Sequence, residues 1–172
     1  MPRRTHILLA MIFFCLSTAL GASDQAEINF SDIRDRARLA DAAYKTEPAI
    51  RDLLKALGYE LTHYHTIAGT QVAFFLATSE LSRTQVVSIR GTSNVENAMV
   101  NVSLKLRADA ETGVALHDGF AYVAKQVYTE LKPLLRPGYK IDITGHSLGG
   151  AVAVILSILL NRDQFGVNQV VT

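Results

Sequence analysis

Hydrophobic and polar positions along the chain change period several times, and each change marks an element. From Ser31 to Tyr44, Ile33, Ala37, Ala40 and Tyr44 recur at intervals of four, three and four, one face of a helix that Ser31 is placed to cap. Ile50, Leu53, Leu54 and Leu57 form a second helical stripe, with Pro48 in its first turn and Gly58 as its stop. Both helices read as covers for a sheet. The period then shortens: YELTHYH (59–65) and QVAFFLA (71–77) predict a hairpin around Ala68-Gly69. A third strand, Gln85 to Arg90, runs into Gly91-Thr92-Ser93-Asn94. Three strands in succession suit an α/β sheet with an antiparallel front portion.

Between Asn94 and Leu106, Val95, Met99, Val102 and Leu106 return to near-helical spacing, which fits a packed helix or a lid whose apolar face covers a site. An acidic, small-residue linker (Ala108 to Gly113) follows. His117-Asp118-Gly119-Phe120 then opens a long helix in which Phe120, Val123, Val127, Leu131 and Leu134 make a core-facing stripe, and Pro137-Gly138 closes the segment. Tyr139 to Leu160 reads as a strand (Lys140–Thr144), a turn and a helix apolar almost all round, hence buried over the middle of the sheet. Its strand is unusual. Lys140, Asp142 and Thr144 alternate with Ile141 and Ile143, whereas a strand buried on both faces is ordinarily apolar throughout. Val167 to Thr172 begins another strand, and neither a repeat nor a second domain is visible.

The turn is Gly145-His146-Ser147-Leu148-Gly149, a G-x-S-x-G nucleophile elbow in strand–turn–helix context. A serine hydroxyl is a poor nucleophile unless it is held exposed and next to a base. A sharp turn exposes it but crowds the backbone, and Gly145, Gly149 and Gly150 supply the missing side chains, with Ala151 and Ala153 keeping the helix slim. Ser147 then sits at a helix N-terminus, where free N–H groups and the helix dipole favour developing negative charge. His63 and His65 share one face of the first strand at a spacing that could hold a metal. No third ligand lies near them in sequence, so they read as edge histidines.

Composition narrows the class. The 172 residues, 49% hydrophobic and 19% charged, suit one soluble globular domain, and a formal net charge of +1 with 8% aromatics leaves no electrostatic footprint for nucleic acid. Residues 1–22 read as a signal peptide: Arg3 and Arg4, an apolar run from Ile7 to Leu20, and small residues at Ala19-Leu20-Gly21-Ala22. The run is short for a membrane span, and Cys15, the single cysteine, lies inside it behind Phe13-Phe14, a poor setting for lipid attachment. Its removal leaves 15 basic against 16 acidic residues, or −1. A secreted or periplasmic location is expected.

Ile89-Arg90-Gly91-Thr92 after a strand, His117-Asp118-Gly119-Phe120 opening a helix, and Thr144-Gly145-His146-Ser147-Leu148-Gly149-Gly150-Ala151 stand in one order. Together, from about Ala37 onward, they closely resemble the fungal-type class 3 lipases, an α/β-hydrolase family of triacylglycerol lipases and related esterases. The resemblance implies Ser147 as nucleophile, an oxyanion hole at Thr92 and the Leu148 backbone N–H, and a lid over Asn94–Leu106. It implies structural roles for His117 and His146, a lipid or ester substrate met at a lipid–water interface, and no metal or organic cofactor.

A hydrolase of this fold needs Asp and His after the serine, in that order. Of the 25 residues that follow Ser147 none is histidine, and the one carboxylate, Asp163, lies 16 positions on, ~24 Å along a helix and at its wrong end. The expected organisation is therefore a signal peptide (1–22) and an α/β-hydrolase-type mixed sheet with flanking helices (23–172), truncated after the nucleophile helix. Three readings follow: an exported ester hydrolase whose base lies outside this stretch, an inactive relative that binds lipid or a partner, and a hydrolase that recruits His117 or His63 from upstream.

Overall fold

The computed structural model describes residues 29–70, 72–92 and 106–172. In chain order these form α1 (Phe30–Ala42), α2 (Glu47–Ala56), β1 (Glu60–Thr66), β2 (Ala73–Ser79), β3 (Thr84–Ile89), β4 (Leu106–Ala108), β5 (Ala115–His117), α3 (Asp118–Leu131), β6 (Lys140–Gly145), α4 (Leu148–Arg162) and β7 (Val167–Val171). The main sheet has the order β1-β2-β3-β6-β7. β2 runs antiparallel to both β1 and β3, and β6 and β7 continue the sheet parallel to β3. The antiparallel front portion expected from the hairpin pattern is present. The stretch read as a signal peptide and nearly all of the segment expected as a lid lie outside the described residues.

The sheet separates two apolar layers. On one side Phe74, Leu76, Val87, Ile89, Ile141 and Ile143 pack with Val123, Val127 and Leu131 of α3 and Val152, Leu156 and Leu159 of α4. On the other, Phe75, Ala77 and Val86 meet Leu39 and Ala42 of α1 and Ile50 and Leu54 of α2. β6 thus turns its isoleucines to the α3–α4 side, and Asp142 and Thr144 are buried beneath α1 while Lys140 at the strand's start is exposed. Asp142 is 2% exposed and Arg36 8%. Arg36 Nη2 lies 2.8 Å from the Asp142 carboxylate, which also accepts from Asn168 Nδ2 at 2.8 Å and Gln169 Nε2 at 3.2 Å. Thr144 Oγ1 sits 3.2 Å from the Arg36 carbonyl oxygen and 2.8 Å from that of Val171. Asp142 and Thr144 are as dry as the neighbouring isoleucines, because each has hydrogen-bonding partners.

That arrangement corrects the reading of α1. Its buried residues are Arg36, Leu39, Ala40 and Ala42, while Ile33 is 37% exposed and Ala37 is exposed. The face that meets the sheet carries an arginine, and counting apolar positions steered past it. The cap is also displaced: Asn29 Oδ1 accepts the N–H groups of Ser31 and Asp32 at 3.0 and 3.3 Å, so Ser31 lies inside the first turn. α2 matches its pattern, with Pro48 early, Ile50 and Leu54 buried and Gly58 at φ +77°. α4 buries most of its length, although Val154 remains 47% exposed on the side away from the sheet and α3.

The stretch read as a linker is the turn of a small ribbon, β4 paired antiparallel with β5, and Leu106, expected in the helical-spacing segment, opens β4. Three-residue strands are too short to show alternation. Asp109 closes its turn, accepting the N–H groups of Glu111 and Thr112 and the Lys125 ammonium at 2.6 Å. Lys125 holds the Asp109 carboxyl down from an ordinary 3.8 to about 2. Nearby, Arg162, then Tyr128 and Lys132, hold Asp163 well below the usual carboxylate range. Both carboxyls bind protons less readily folded than unfolded, so their stabilisation is complete above the unfolded value and is lost as pH falls through the folded one. Thermal melts should therefore show the midpoint steady down to about pH 4 and declining toward pH 2, with a shallower acid decline in Lys125→Met. An unchanged acid limb in that variant would remove Asp109 from the account.

Candidate active site

β6 ends at Gly145 and α4 begins at Leu148, so the chain reverses within His146 and Ser147. Ser147 takes φ 57° and ψ −126°, a region sparsely populated by residues with a Cβ. Strain of this kind persists only where the surroundings over-determine it. A Cβ on Gly145 would lie 2.5 Å from the Gly149 carbonyl oxygen, and one on Gly149 would overlap the Ile89 carbonyl oxygen. The turn closes backbone against backbone. His146 and Ser147 are exposed, Leu148 is half-buried, and the residues behind them are buried. Gly150 N–H donates to the Ser147 carbonyl at 2.9 Å, which starts the helix. The Leu148 N–H, first in α4, lies outside the intrahelical ladder and is available to an oxyanion.

The second wall comes from β3. Ile89 pairs with Gly145 in the parallel register, so the two strands end level. Gly91, buried, follows, and a Cβ there would lie 2.7 Å from the His146 carbonyl oxygen and 2.8 Å from the Tyr44 hydroxyl. Its N–H donates to the Tyr44 oxygen at 3.1 Å, and that hydroxyl lies 3.3 Å from His146 Nδ1. Thr92, half-buried, comes directly after Gly91. An open groove of about 390 Å³ runs beside the elbow, lined among others by Ile33, Ala37, Tyr44, His146 and Val171. The stripe read as the core face of α1 lines this groove.

Residues 86–171 match the family model described as Lipase (class 3), half of the chain. The chain belongs to the class 3 lipase family. Among curated relatives, a secreted mono- and diacylglycerol lipase of Fusarium solani is 32% identical over 109 residues, covering 58% of this chain and 33% of that protein. Among solved structures, lipase II of Rhizopus niveus superposes with a TM-score of 0.68 at 21% identity, covering 78% of this chain and 56% of that one. A triacylglycerol lipase whose catalytic centre is described as a serine protease triad gives 0.66 at 20% identity, covering 80% and 57%. The fold is of the α/β-hydrolase type, and this chain spans a third to just over a half of the length of the lipases named here.

Within this class 3 lipase chain Ser147 and Leu148 adjoin at the elbow, Gly91 packs on that turn with Thr92 next in the chain, and the other candidates lie elsewhere. His117 caps α3, its Nδ1 accepting the Phe120 N–H at 3.4 Å. A neutral ring that accepts there carries its proton on Nε2, so no lone pair remains to act as a base while the cap is in place. His63 and His65 stack on each other, 5.8 Å between centroids, against Phe74 on the outermost strand β1. Among the described residues, no group of three or more His, Cys, Asp or Glu could hold a metal ion. Asp163 caps the far end of α4, bound by Arg162, Lys132 and Tyr128. Two features escaped the sequence. Tyr44 had been counted among the apolar positions of α1, where its spacing hid its hydroxyl. Arg36 and Asp142 are 106 positions apart, and the one hint of their pairing was the polar alternation of the β6 strand.

Proposed function

We propose that this chain carries the nucleophile and oxyanion hole of an exported carboxylic-ester hydrolase acting on lipid. Ser147 Oγ attacks the ester carbonyl. The negative charge that develops on the carbonyl oxygen is received by the Leu148 N–H and by Thr92. The alcohol leaves with a proton, and water hydrolyses the acyl-enzyme. The supporting observation is the backbone of Ser147: φ 57° on an exposed turn, held by glycine-to-backbone contacts that admit no side chain. The Fusarium relative, by its name a secreted mono- and diacylglycerol lipase, supports the lipid substrate and, with residues 1–22 as a signal peptide, export. The serine protease triad described for the superposed lipase supports a histidine base held by a carboxylate. We assign neither role to a described residue of this chain.

Labelling tests the reading. A long-chain fluorophosphonate should add once to the chain, slowly because no described residue supplies the base, with the adduct on the peptide that contains Ser147, and Ser147→Ala should remove both the adduct and any ester hydrolysis above buffer. An adduct of equal rate in Ser147→Ala would place the nucleophile elsewhere.

A further inference from the structure

We propose that Tyr44 is a positioning residue for the oxyanion corner: its hydroxyl accepts the Gly91 N–H, gives its own proton to His146 Nδ1, and so ties the loop that carries Thr92 to the turn that carries Ser147. The assignment rests on the roles proposed above for Ser147, Leu148 and Thr92.

Proton counting sets the direction of the bridge. A phenol has one proton and can also accept. The Gly91 amide can only donate, and it lies 3.1 Å from the Tyr44 oxygen. The phenolic proton is then free for the other neighbour, His146 Nδ1 at 3.3 Å, which leaves the ring proton on Nε2. The two rings stand edge to face, 65° apart with centroids 6.1 Å apart.

The support of the hydroxyl is rigid. Tyr44 lies two residues beyond α1, in a turn closed by its own N–H to Asp41 O at 3.1 Å and by Lys45 N–H to Ala42 O at 2.9 Å. α1 is fastened to the sheet by the Arg36–Asp142 pair and by Ser88 Oγ donating to Leu39 O at 2.8 Å. The position being held tolerates little error. Gly91 is wedged between the His146 carbonyl and the Tyr44 hydroxyl, with no room for a Cβ. Without its acceptor the peptide before Gly91 is left with an unmet donor and can rotate, and Thr92, the next residue, moves with it. Catalytic donors misplaced by about 1 Å can cost about a hundredfold in rate. A loosened loop that still samples the right position should cost less, about tenfold.

Two readouts on the intact 172-residue chain test this. With ¹⁵N-histidine, the His146 ring of the unsubstituted protein should show an unprotonated Nδ1 and a protonated Nε2, and Tyr44→Phe should shift it toward a mixture of tautomers. Tyr44→Phe keeps the ring and removes the oxygen. It should slow fluorophosphonate addition to Ser147 about tenfold while Leu81→Ala, on the exposed turn between β2 and β3, leaves the rate unchanged. Residue 44 acting through packing alone would leave both the ring signature and the labelling rate as they were. A protonated Nδ1 in the unsubstituted chain, or labelling of Tyr44→Phe at the full rate, overturns the proposal. Failure of the unsubstituted chain to label Ser147 would instead strike the activation of Ser147 within this chain, and the ring spectrum would still decide the bridge. That spectrum also suffices where Tyr44→Phe does not fold.

Discussion

Asp142→Ala should destabilise the chain by about 3–5 kcal/mol, because it leaves the Arg36 guanidinium buried without its counter-ion. The site offers that charge little else. The Arg36 and Asp142 side chains are 9% and 3% exposed, and the guanidinium also donates to the Tyr59 hydroxyl at 3.1 Å. Asn168 and Gln169 would lose their acceptor at the same time. A buried pair is nonetheless weak evidence of net stabilisation, since desolvation of two ions offsets most of their attraction. Replacing both partners, as Arg36→Met with Asp142→Leu, should therefore recover most of what the single substitution loses. Urea unfolding of the two single variants and the double variant measures this as a cycle. A cost below about 1 kcal/mol for Asp142→Ala would mean that water reaches the pair or that the arginine swings out to solvent.

Gly149→Ala should have the larger effect on chemistry. The added methyl overlaps the Ile89 carbonyl oxygen and comes within 3.0 Å of the Arg90 carbonyl carbon. Those atoms belong to the backbone at the end of a central strand, not to a side chain that can turn aside. Either α4 moves away from β3, or the end of β3 shifts and takes Gly91 and Thr92 with it. Overpacking of this kind costs about 1–3 kcal/mol. A shift of about 1 Å between Ser147 and its oxyanion donors should slow fluorophosphonate labelling about a hundredfold. Gly58→Ala is the comparison: φ is +77° but nothing lies within 4 Å of the new Cβ. Its cost should be about 1 kcal/mol of left-handed backbone strain, with no change in labelling. Equal labelling by Gly149→Ala and the parent chain would show that the elbow does not depend on this contact.

What could be read without coordinates was local. The stripe of α2, the hairpin around Gly69, the strand–turn–helix at Ser147 and the opening of α3 at His117 each rest on residues a few positions apart. Local periodicity and turn chemistry specify such units. The errors arose where a distant partner decides. Arg36 is a core residue only because Asp142 faces it across the sheet, so the pattern rotated α1 onto the wrong face. Tyr44 enters the candidate site only because the β3–β6 pairing brings Gly91 and His146 within reach of its hydroxyl. The acidic run after Ala108 looked like a linker because the turn is built by one aspartate and a lysine 16 positions away.

The parallel pairing of β3 with β6 has a consequence for how such a chain can diversify. Ile89 stands opposite Gly145, so the backbone ladder alone sets the height at which the Thr92 loop and the Ser147 turn leave the sheet. The connection that travels between them, from Thr92 to Lys140, does not set that height. Outside α3, which packs into the core, insertions, deletions or exchanges in it can remodel the protein's surface without changing that height. Descendants of one chain can then explore new substrates by rewriting a connection while inheriting the same chemistry.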